Sequence, residues 1–594
     1  MRRRVSMDPE KQEQHSAQEP DESIKSQNQD SHKIEESDAK SQKSQQDQSN
    51  LEGAESQEPS GLHPSISPLR LNIIVFGRSS LLIPRSLWIS LFLAALDSTI
   101  ISTAVFDISN SFNSTSQSAW IVTSYLLTFN AFVLLLAKLS DIVGLKLLLL
   151  VSNFVFLVFS IASGVSRIVF RALQGIGASG LYCLVFVAVL RLISLGKAAL
   201  YSGIISSVFA LSNLLGPVLG GVIVDNTTWR WIFYINIPLA SIAGLILGLA
   251  IPSSNDIKFN RQMFKKFDFV GSFLSICWLV PILFALQEGG SHYSWSSREI
   301  IGTLVGGIVA LIIFVAYETW LQHQNSATEP VFPIKFVRDP MQGLLLLNVL
   351  LMGFAFYTAI IILPQRFQAV NHVSASRAGV LLLTLTLTLP LFSLICGGVL
   401  AKKPEMTYSL LIFGAVLVLT ATACFSDLSV DHPVSNGQYG FEVLMGSGLG
   451  VLSSTQYVAL KMTFLNRDTA TGTGAMNMLR AMGGCIGLAV CDAMLSSRLD
   501  KDLPMVLSDN PELINIAKES LNTATGFSAD QLALVRQVYG RGYNDGLQVM
   551  IAFAGANVVV AGLLILNTYR RGGIDAMVAA AQASEQQEDL RASP

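Results

Sequence analysis

Long apolar stretches separated by short polar loops dominate the chain from about residue 83 onward. A helix needs about 20 mostly apolar residues to cross the hydrocarbon core of a bilayer. Stretches of about this length lie at 83–106, 118–139, 146–163, 167–190, 201–224, 231–251, 268–287, 300–320, 341–364, 378–400, 408–425, 441–462, 474–495 and 547–567. The pattern predicts an all-α polytopic membrane protein with about fourteen transmembrane helices.

The two ends of the chain are polar. Residues 1 to about 65 contain no Phe, Tyr or Trp and are rich in Ser, Gln, Glu and Lys. Such a segment buries too little apolar area to offset the entropy of ordering it. We therefore expect a disordered tail over 1–80, and a second short tail over 571–594.

Lysine and arginine in the short loops predict the orientation. With the N-terminus in the cytosol, thirteen of these residues fall in inside loops and five in short outside loops. Cytoplasmic loops carry the excess of positive charge, which supports this orientation. Both tails are then cytosolic, and the loop 496–546 is extracellular. The sequons at Asn113 and Asn226 fall on predicted outside loops and are candidate glycosylation sites.

Composition narrows the class further. The chain of 594 residues is 51% hydrophobic and only 14% charged, whereas soluble domains carry about 25% charged residues. No basic stripe points to nucleic acid. The six cysteines lie in apolar runs without metal-ligand spacing, so we expect no metal and no cofactor. The sequence contains no GxxxxGK[ST] loop and no nucleophile–base set, so we expect neither an ATPase nor another enzyme.

Two ionisable residues stand out within predicted spans. Asp97 lies about eleven residues into its span, roughly 16 Å along a helix, and Arg171 lies a few residues into the fourth span. A charge at bilayer depth costs about 2.5–3.5 kcal/mol on insertion scales, so each is a functional candidate. The alternatives are a hydrogen-bond acceptor in helix packing for Asp97, and an arginine that extends to the outer interface for Arg171.

The stretch RALQGIG surrounds Arg171. Gln174 follows Arg171 by three residues and shares its helix face. Gly175 and Gly177 allow a neighbouring helix to approach closely. A cation on such a face can attract and release a carboxylate or a proton donor.

The stretch SNLLGPVLGG, residues 212–221, places small residues at a spacing of four. Ser212, Gly216 and Gly220 therefore leave one helix face almost bare, which permits close packing of a second helix. Pro217 frees a backbone carbonyl and bends the helix, and Gly221 directly follows Gly220. We interpret this face as a tightly packed seam, although a simple proline kink is the alternative.

Together these motifs resemble the major facilitator superfamily, and specifically its fourteen-span drug:proton antiporters of the fungal toxin and multidrug efflux type. SNLLGPVLGG resembles the antiporter motif GxxxGPxxGG, with Ser212 in place of the first glycine. RALQGIG matches the fourth-span motif RxxQGxG, and LDSTIISTAV resembles the first-span motif. Further likeness lies in WRWIFYINIP, LPQRFQAVNHVSASRAG and TGTGAMNMLRAMGGCIGLAV.

The resemblance implies two six-helix bundles, at 83–251 and 321–570, with a linker and two additional spans at 252–320. It implies alternating access around a central cavity, with Arg171 and Asp97 in proton coupling and the Gly216 seam limiting proton leakage. The loop between spans two and three departs from the family pattern GxxxDRxGRK. Asp141, Gly144 and Lys146 of this gating loop remain, while Ile142 and Leu145 replace two arginines.

We expect proton-coupled efflux of small amphipathic or apolar molecules by a monomer in the plasma membrane, with a vacuolar or vesicle membrane as the alternative location. The partners are then a small-molecule substrate, protons and the lipid bilayer. Two other functions stay open: transport of a siderophore or of a basic amino acid into the vacuole, and a non-transporting sensor or decayed relic. Basic cargo favours several acidic groups at cavity depth, and of these the sequence indicates only Asp97.

Overall fold

The structure, a computed structural model, describes most of the chain from residue 86 onward. The described residues are 86–101, 115–165, 168–192, 201, 204–205, 207–208, 211–212, 215–216, 219–220, 222–223, 226–250, 267–290, 293–324, 328–373, 375–430, 436–464, 468–507, 510–519, 527–574, 576 and 578–579. The predicted N-terminal tail, Asn113, Pro217 and Gly221 lie outside them.

The described residues are almost entirely helical. Their helices are α1 Ser86–Ile100, α2 Thr115–Val143, α3 Leu145–Val165, α4 Ile168–Leu192, α5 Trp231–Tyr234, α6 Asn236–Ala250, α7 Phe269–Glu288, α8 Arg298–His323, α9 Lys335–Arg338, α10 Pro340–Ala369, α11 Ala375–Leu381, α12 Leu383–Lys402, α13 Thr407–Ser426, α14 Gly437–Thr463, α15 Thr469–Val506, α16 Pro511–Glu519 and α17 Ala529–Arg570. In the described residues, β pairing is confined to two isolated bridges.

Twelve of the described helical segments are long and apolar enough to cross a membrane. Helices satisfy all their backbone hydrogen bonds internally, which is what hydrocarbon requires of a spanning segment. The prediction of an all-α polytopic fold is confirmed. The two remaining predicted spans correspond to α1, a shorter apolar helix, and to 201–224, of which only a part is described. The total of fourteen therefore stays a prediction.

Helix contacts divide the spans into two groups. In the first bundle α4 packs against α2 and α3, and α3 packs against α6. In the second bundle α14 packs against α12 and α13, while α10, α15 and α17 contact one another. The additional pair α7 and α8 pack together, and α7 also contacts α2 and α15. The two bundles meet directly where α15 packs against α2 and α4.

Burial identifies the central helices. In the most apolar window of each span, 89% of α14 and 83% of α4 is buried, against 17% of α8. Because α4 and α14 are enclosed by protein, polar side chains on them are kept from lipid. Both helices carry the residues of the candidate site described below.

The predicted loop 496–546 is largely helical. Helix α15 continues to Val506, α16 covers Pro511–Glu519, and α17 already begins at Ala529. The Tyr539 hydroxyl donates a hydrogen bond of 2.7 Å to the Ala517 carbonyl, which ties α16 to α17.

Candidate functional site

Asp97 of α1 and Arg171 of α4 form a buried ion pair. The Arg171 Nη1 atom lies 2.7 Å from Asp97 Oδ2, and the two residues are 3% and 0% exposed, respectively. Arg171 is thus enclosed in the first bundle and does not extend to the interface. The structure brings together the two ionisable residues that the sequence singled out.

Neutral polar groups complete the environment of this pair. Asp97 Oδ1 accepts hydrogen bonds from Gln174 Nε2 at 2.9 Å and from Asn236 Nδ2 at 2.8 Å. Gln174 Oε1 accepts from Arg171 at 2.9 Å, and Gln174 Nε2 also donates to Ser160 Oγ at 2.6 Å. The Asp97 carboxylate therefore accepts from three donors on α4 and α6. Such charge-assisted hydrogen bonds are about twice as strong as neutral ones.

Aromatic rings cover the guanidinium. The Arg171 Cζ atom lies 4.2 Å from the centroid of the Tyr125 ring and 5.6 Å from that of Phe233. Both distances are within the range of a cation–π interaction. Arg171 therefore has one full negative partner and two ring faces.

The fourth-span glycines let three helices approach closely. A Cβ atom at Gly175 would lie 2.6 Å from the Tyr125 carbonyl oxygen on α2, and one at Gly177 would lie 2.8 Å from the Phe156 Cα atom on α3. Real Cβ atoms almost never make such short contacts. Both glycines are needed to bring α2 and α3 against the part of α4 that carries Arg171.

The small-residue face of 212–220 packs against α1. Ser212, Gly216 and Gly220 are all buried. A Cβ atom at Gly216 would collide with the Thr99 side chain, 2.7 Å from its Cβ atom, and the Thr99 hydroxyl donates to the Ser212 carbonyl at 3.2 Å. Since Thr99 is two residues from Asp97, the seam adjoins the ion pair.

The gating loop is a tight connection between α2 and α3. Gly144 has φ of +92°, a left-handed conformation that favours glycine. Asp141 and Lys146, on either side of it, are partly buried. One turn before, Lys138 Nζ lies 2.6 Å from Glu329 Oε2 in the segment between α8 and α9. An ion pair absent from the sequence motif therefore joins α2 to that segment.

Of the two sequon asparagines, the structure describes only Asn226. Asn113 lies outside the described residues. Asn226 is exposed, and its side chain donates to the Val222 carbonyl at 2.9 Å. Exposure is compatible with the predicted glycosylation, which stays a prediction.

A second polar cluster, which the sequence analysis did not single out, lies in the second bundle. Arg480 of α15 is 7% exposed and donates at 3.3 Å to Gln456 Oε1 and to the Tyr457 hydroxyl, both on α14. Gln456 Nε2 donates to Asn348 of α10 at 2.8 Å, and Asn348 donates to Asn557 of α17 at 2.5 Å. We refer to Arg480, Gln456, Tyr457, Asn348 and Asn557 as the Arg480 cluster.

A row of aromatic rings connects the two polar sites. The centroids of successive rings lie 4.7–6.0 Å apart in the order Tyr125, Phe129, Tyr182, Phe186 and Tyr457. The first ring covers the Arg171 guanidinium, and the last lies 5.3 Å from that of Arg480. The stacked pair at the end of the row joins α4 of the first bundle to α14 of the second.

Further carboxylates are also buried in the spans. Glu288 accepts from Thr123 at 2.9 Å between α7 and α2, and Glu318 and Glu442 are each 0% exposed. The sequence indicates only Asp97 as an acidic group at cavity depth, and that interpretation stays a prediction. These glutamates lie near helix ends. The length of an apolar stretch does not show whether a residue at its end is buried in protein or lies at the membrane interface.

The known proteins most informative about this chain are transporters. The chain is 37% identical over 495 residues to the MFS-type transporter FPY5 of Fusarium mangiferae, covering 81% of this chain and 82% of that protein. It is 31% identical over 481 residues to the efflux pump FUS6 of Gibberella moniliformis, covering 78% and 83%. The multidrug transporter protein MdtP of Bacillus subtilis is 27% identical, covering 70% and 75%.

A solved structure and a family model agree with this result. A bacterial homologue of the human lysosomal transporter Spinster, in an inward-facing and unoccupied conformation, matches with a TM-score of 0.50 at 14% identity, covering 81% of this chain and 96% of that one. This likeness concerns the fold alone. The family model of the Major Facilitator Superfamily matches residues 87–488. The chain therefore belongs to the Major Facilitator Superfamily and is a multi-pass membrane transporter.

Proposed function

We propose that this protein exports small amphipathic or apolar molecules across the plasma membrane as a monomer, driven by proton entry. Support comes from its relatives, which include an efflux pump and a multidrug transporter. The observation that carries the proposal is the buried Asp97–Arg171 pair, 2.7 Å apart and enclosed by α1, α2, α4 and α6.

The pair can act as the proton-coupling element. While Asp97 is ionised, it compensates Arg171 and accepts hydrogen bonds from three donors. Protonation of Asp97 removes that negative charge and leaves Arg171 a buried cation without the charge of Asp97. An uncompensated buried charge is unfavourable, so protonation destabilises this packing of α1 against α4 and favours another arrangement.

The seam at Gly216 supports the same proposal. It presses the 212–220 face against α1 within two residues of Asp97. Movement of α1 after protonation therefore changes the seam, and a closed seam hinders water from reaching the carboxylate. Coupling requires both properties, because a proton that crosses without substrate movement does no transport work.

The test uses the purified full chain in proteoliposomes with an imposed pH gradient. Uncharged Nile red serves as transport probe, and an enclosed pH-sensitive dye reports proton movement. Wild-type protein should move Nile red only with the gradient. Arg171→Ala should abolish this movement, while Arg171→Lys should retain part of it, because the charge persists without the planar fork. Normal gradient-driven transport by Arg171→Ala would refute the coupling role.

A further inference from the structure

Arg480 is a buried cation with which no acidic residue of the described chain forms an ion pair. Its guanidinium contacts the Gln456 amide oxygen, the Tyr457 hydroxyl and the Tyr457 ring, all of them neutral. Within the part of the chain that the structure describes, no acidic side chain forms an ion pair with it. Its Nε atom is buried and lacks a hydrogen-bond partner. A strongly buried charge is normally paired, so this environment is incomplete.

The neutral groups around Arg480 are held in place by other side chains. Asn557 orients Asn348, Asn348 orients Gln456, and Gln456 presents its oxygen to Arg480. The three amides lie on α17, α10 and α14, and the last of them contacts Arg480 on α15. The guanidinium is therefore fixed in position although its charge is uncompensated, which is the preorganised state that favours ligand binding.

The cluster also lies where the two bundles meet. Tyr457 stacks on Phe186 of α4 with 4.7 Å between ring centroids, and Tyr182 of α4 interacts with Arg480. Two members of the aromatic row, Phe129 and Tyr182, are partly exposed. An amphipathic molecule could place its apolar part against these rings and a polar group near Arg480.

We propose that Arg480 binds an anionic oxygen group, such as a carboxylate, on the transported molecule. A guanidinium presents a planar fork of donors that matches a carboxylate, and the unpartnered Nε–H belongs to that fork. The ligand supplies the missing negative charge and leaves the neutral Arg480 cluster intact. The inference rests on the proposed export function and specifies its substrate class as amphipathic acids. It disfavours basic cargo, which Arg480 repels.

Binding without any pH gradient tests this inference separately from export. The probes are 11-(dansylamino)undecanoate and its methyl ester, which share one apolar body and differ in charge. Dansyl fluorescence is titrated with the purified full chain in detergent. The wild type should bind the carboxylate at least about tenfold more tightly than the ester, as expected for a charge-assisted hydrogen bond.

Three variants sharpen this measurement. Arg480→Gln should weaken carboxylate binding far more than ester binding and so remove the preference for the carboxylate, while Arg480→Lys should restore part of it. Gln456→Glu places an internal carboxylate beside Arg480 and should weaken carboxylate binding at least about tenfold by occupying the cation. This variant keeps the side-chain shape, so the test stands even if Arg480→Gln folds poorly.

The outcomes separate the two proposals. Equal affinity of wild type for acid and ester, or an acid preference that survives both Arg480→Gln and Gln456→Glu, overturns the role of Arg480. Neither result bears on the proposal of gradient-driven export, which the movement of Nile red tests separately. Conversely, an acid preference that depends on Arg480 in a protein that fails to move Nile red along a pH gradient supports the anion site and refutes proton-driven export.

Discussion

Arg171 of the first bundle and Arg480 of the second are both buried, but their charges are compensated in opposite ways. Arg171 faces Asp97 at 2.7 Å and two aromatic rings. Arg480 is held by an amide, a hydroxyl and a ring, and no acidic residue of the described chain pairs with it. The first site is electrically complete without a ligand, whereas the second is complete only if a negative group comes from outside.

This difference suggests a division of labour. A charge pair that closes on itself can respond to a proton without any substrate contact. A lone cation at the junction of the bundles responds to what enters between them. Coupling then amounts to two local charge events that favour different arrangements of the same helices.

The largest expected effect breaks the complete site. Asp97→Asn keeps the shape of the side chain but leaves Arg171 buried without its partner. Removal of one member of a buried pair costs about 3–5 kcal/mol, so thermal unfolding of the purified protein should shift clearly downward. The control is Asp500→Asn, whose side chain is 66% exposed in its pair with Lys518. Equal losses in both variants would mean that Asp97 and Arg171 are no more coupled than a surface pair.

The second prediction has the opposite sign. Arg480→Gln removes a buried charge that has no partner, so the free energy of unfolding should stay constant or rise by about 1–3 kcal/mol. Arg171→Gln, the matched control, should lower it because Asp97 is left unpaired. Thermal unfolding of the two variants under one condition checks this contrast. Similar destabilisation by both substitutions would erase the distinction between the sites.

The third prediction concerns the seam beside the complete site. Gly216→Leu places a branched side chain against Thr99, and overpacking of this kind typically costs about 1–3 kcal/mol. Membrane abundance should stay near normal while Nile red export falls strongly, because the seam adjoins Asp97. The control is Gly248→Leu on α6, where an added Cβ atom meets nothing within 4 Å. If both variants export equally well, the seam has no role in coupling.

The smallest effect is expected at a third cation. Lys138 is almost buried, but the side chain of its partner Glu329 is 59% exposed, so water screens the pair. Lys138→Ala should lower stability by about 1 kcal/mol or less, with a smaller difference at high salt. Unfolding at two salt concentrations measures it. If Lys138→Ala lowered stability as much as Asp97→Asn does, independently of salt, burial of the ion pair would not explain the difference in stability loss between these variants.

The ion pair of the first bundle was within reach of sequence reasoning, but its surroundings were not. Arg171 and Gln174 are three residues apart on one helix, and Asp97 is conspicuous in an apolar run. Ser160 and Asn236 are short polar side chains on two other helices, and nothing in their spacing connects them to Asp97. Only tertiary packing brings Asn236 within hydrogen-bond distance of Asp97, and Ser160 within hydrogen-bond distance of Gln174.

Arg480 shows a different limit. The rule that selected Asp97 and Arg171 also applies to it, because it lies within the predicted span 474–495, so the sequence contained a signal that was not used. The absence of a counter-charge, however, is a property of three-dimensional packing. Within 496–546, the periodicity of PELINIAKESL indicates a helix, and one lies at Pro511–Glu519. The extension of α15 to Val506 and the start of α17 at Ala529 were not predicted, since hydropathy does not distinguish a polar helix from a polar loop.

Helices α15 and α17 are far longer than a membrane requires. With 38 and 42 residues, they extend over roughly 57 and 63 Å, whereas the hydrocarbon core is about 30 Å thick. The pair Arg498–Asp545, 2.6 Å apart, braces the two rods against each other. Arg480 lies 26 residues from the Val506 end of α15, which is roughly 39 Å along the helix axis. A tilt of this helix as a rigid body would therefore move that end much farther than the surroundings of Arg480. If α15 tilted by roughly 10° about the level of Arg480, its Val506 end would move by about 7 Å. The end of this helix would thus amplify small movements at the junction of the bundles.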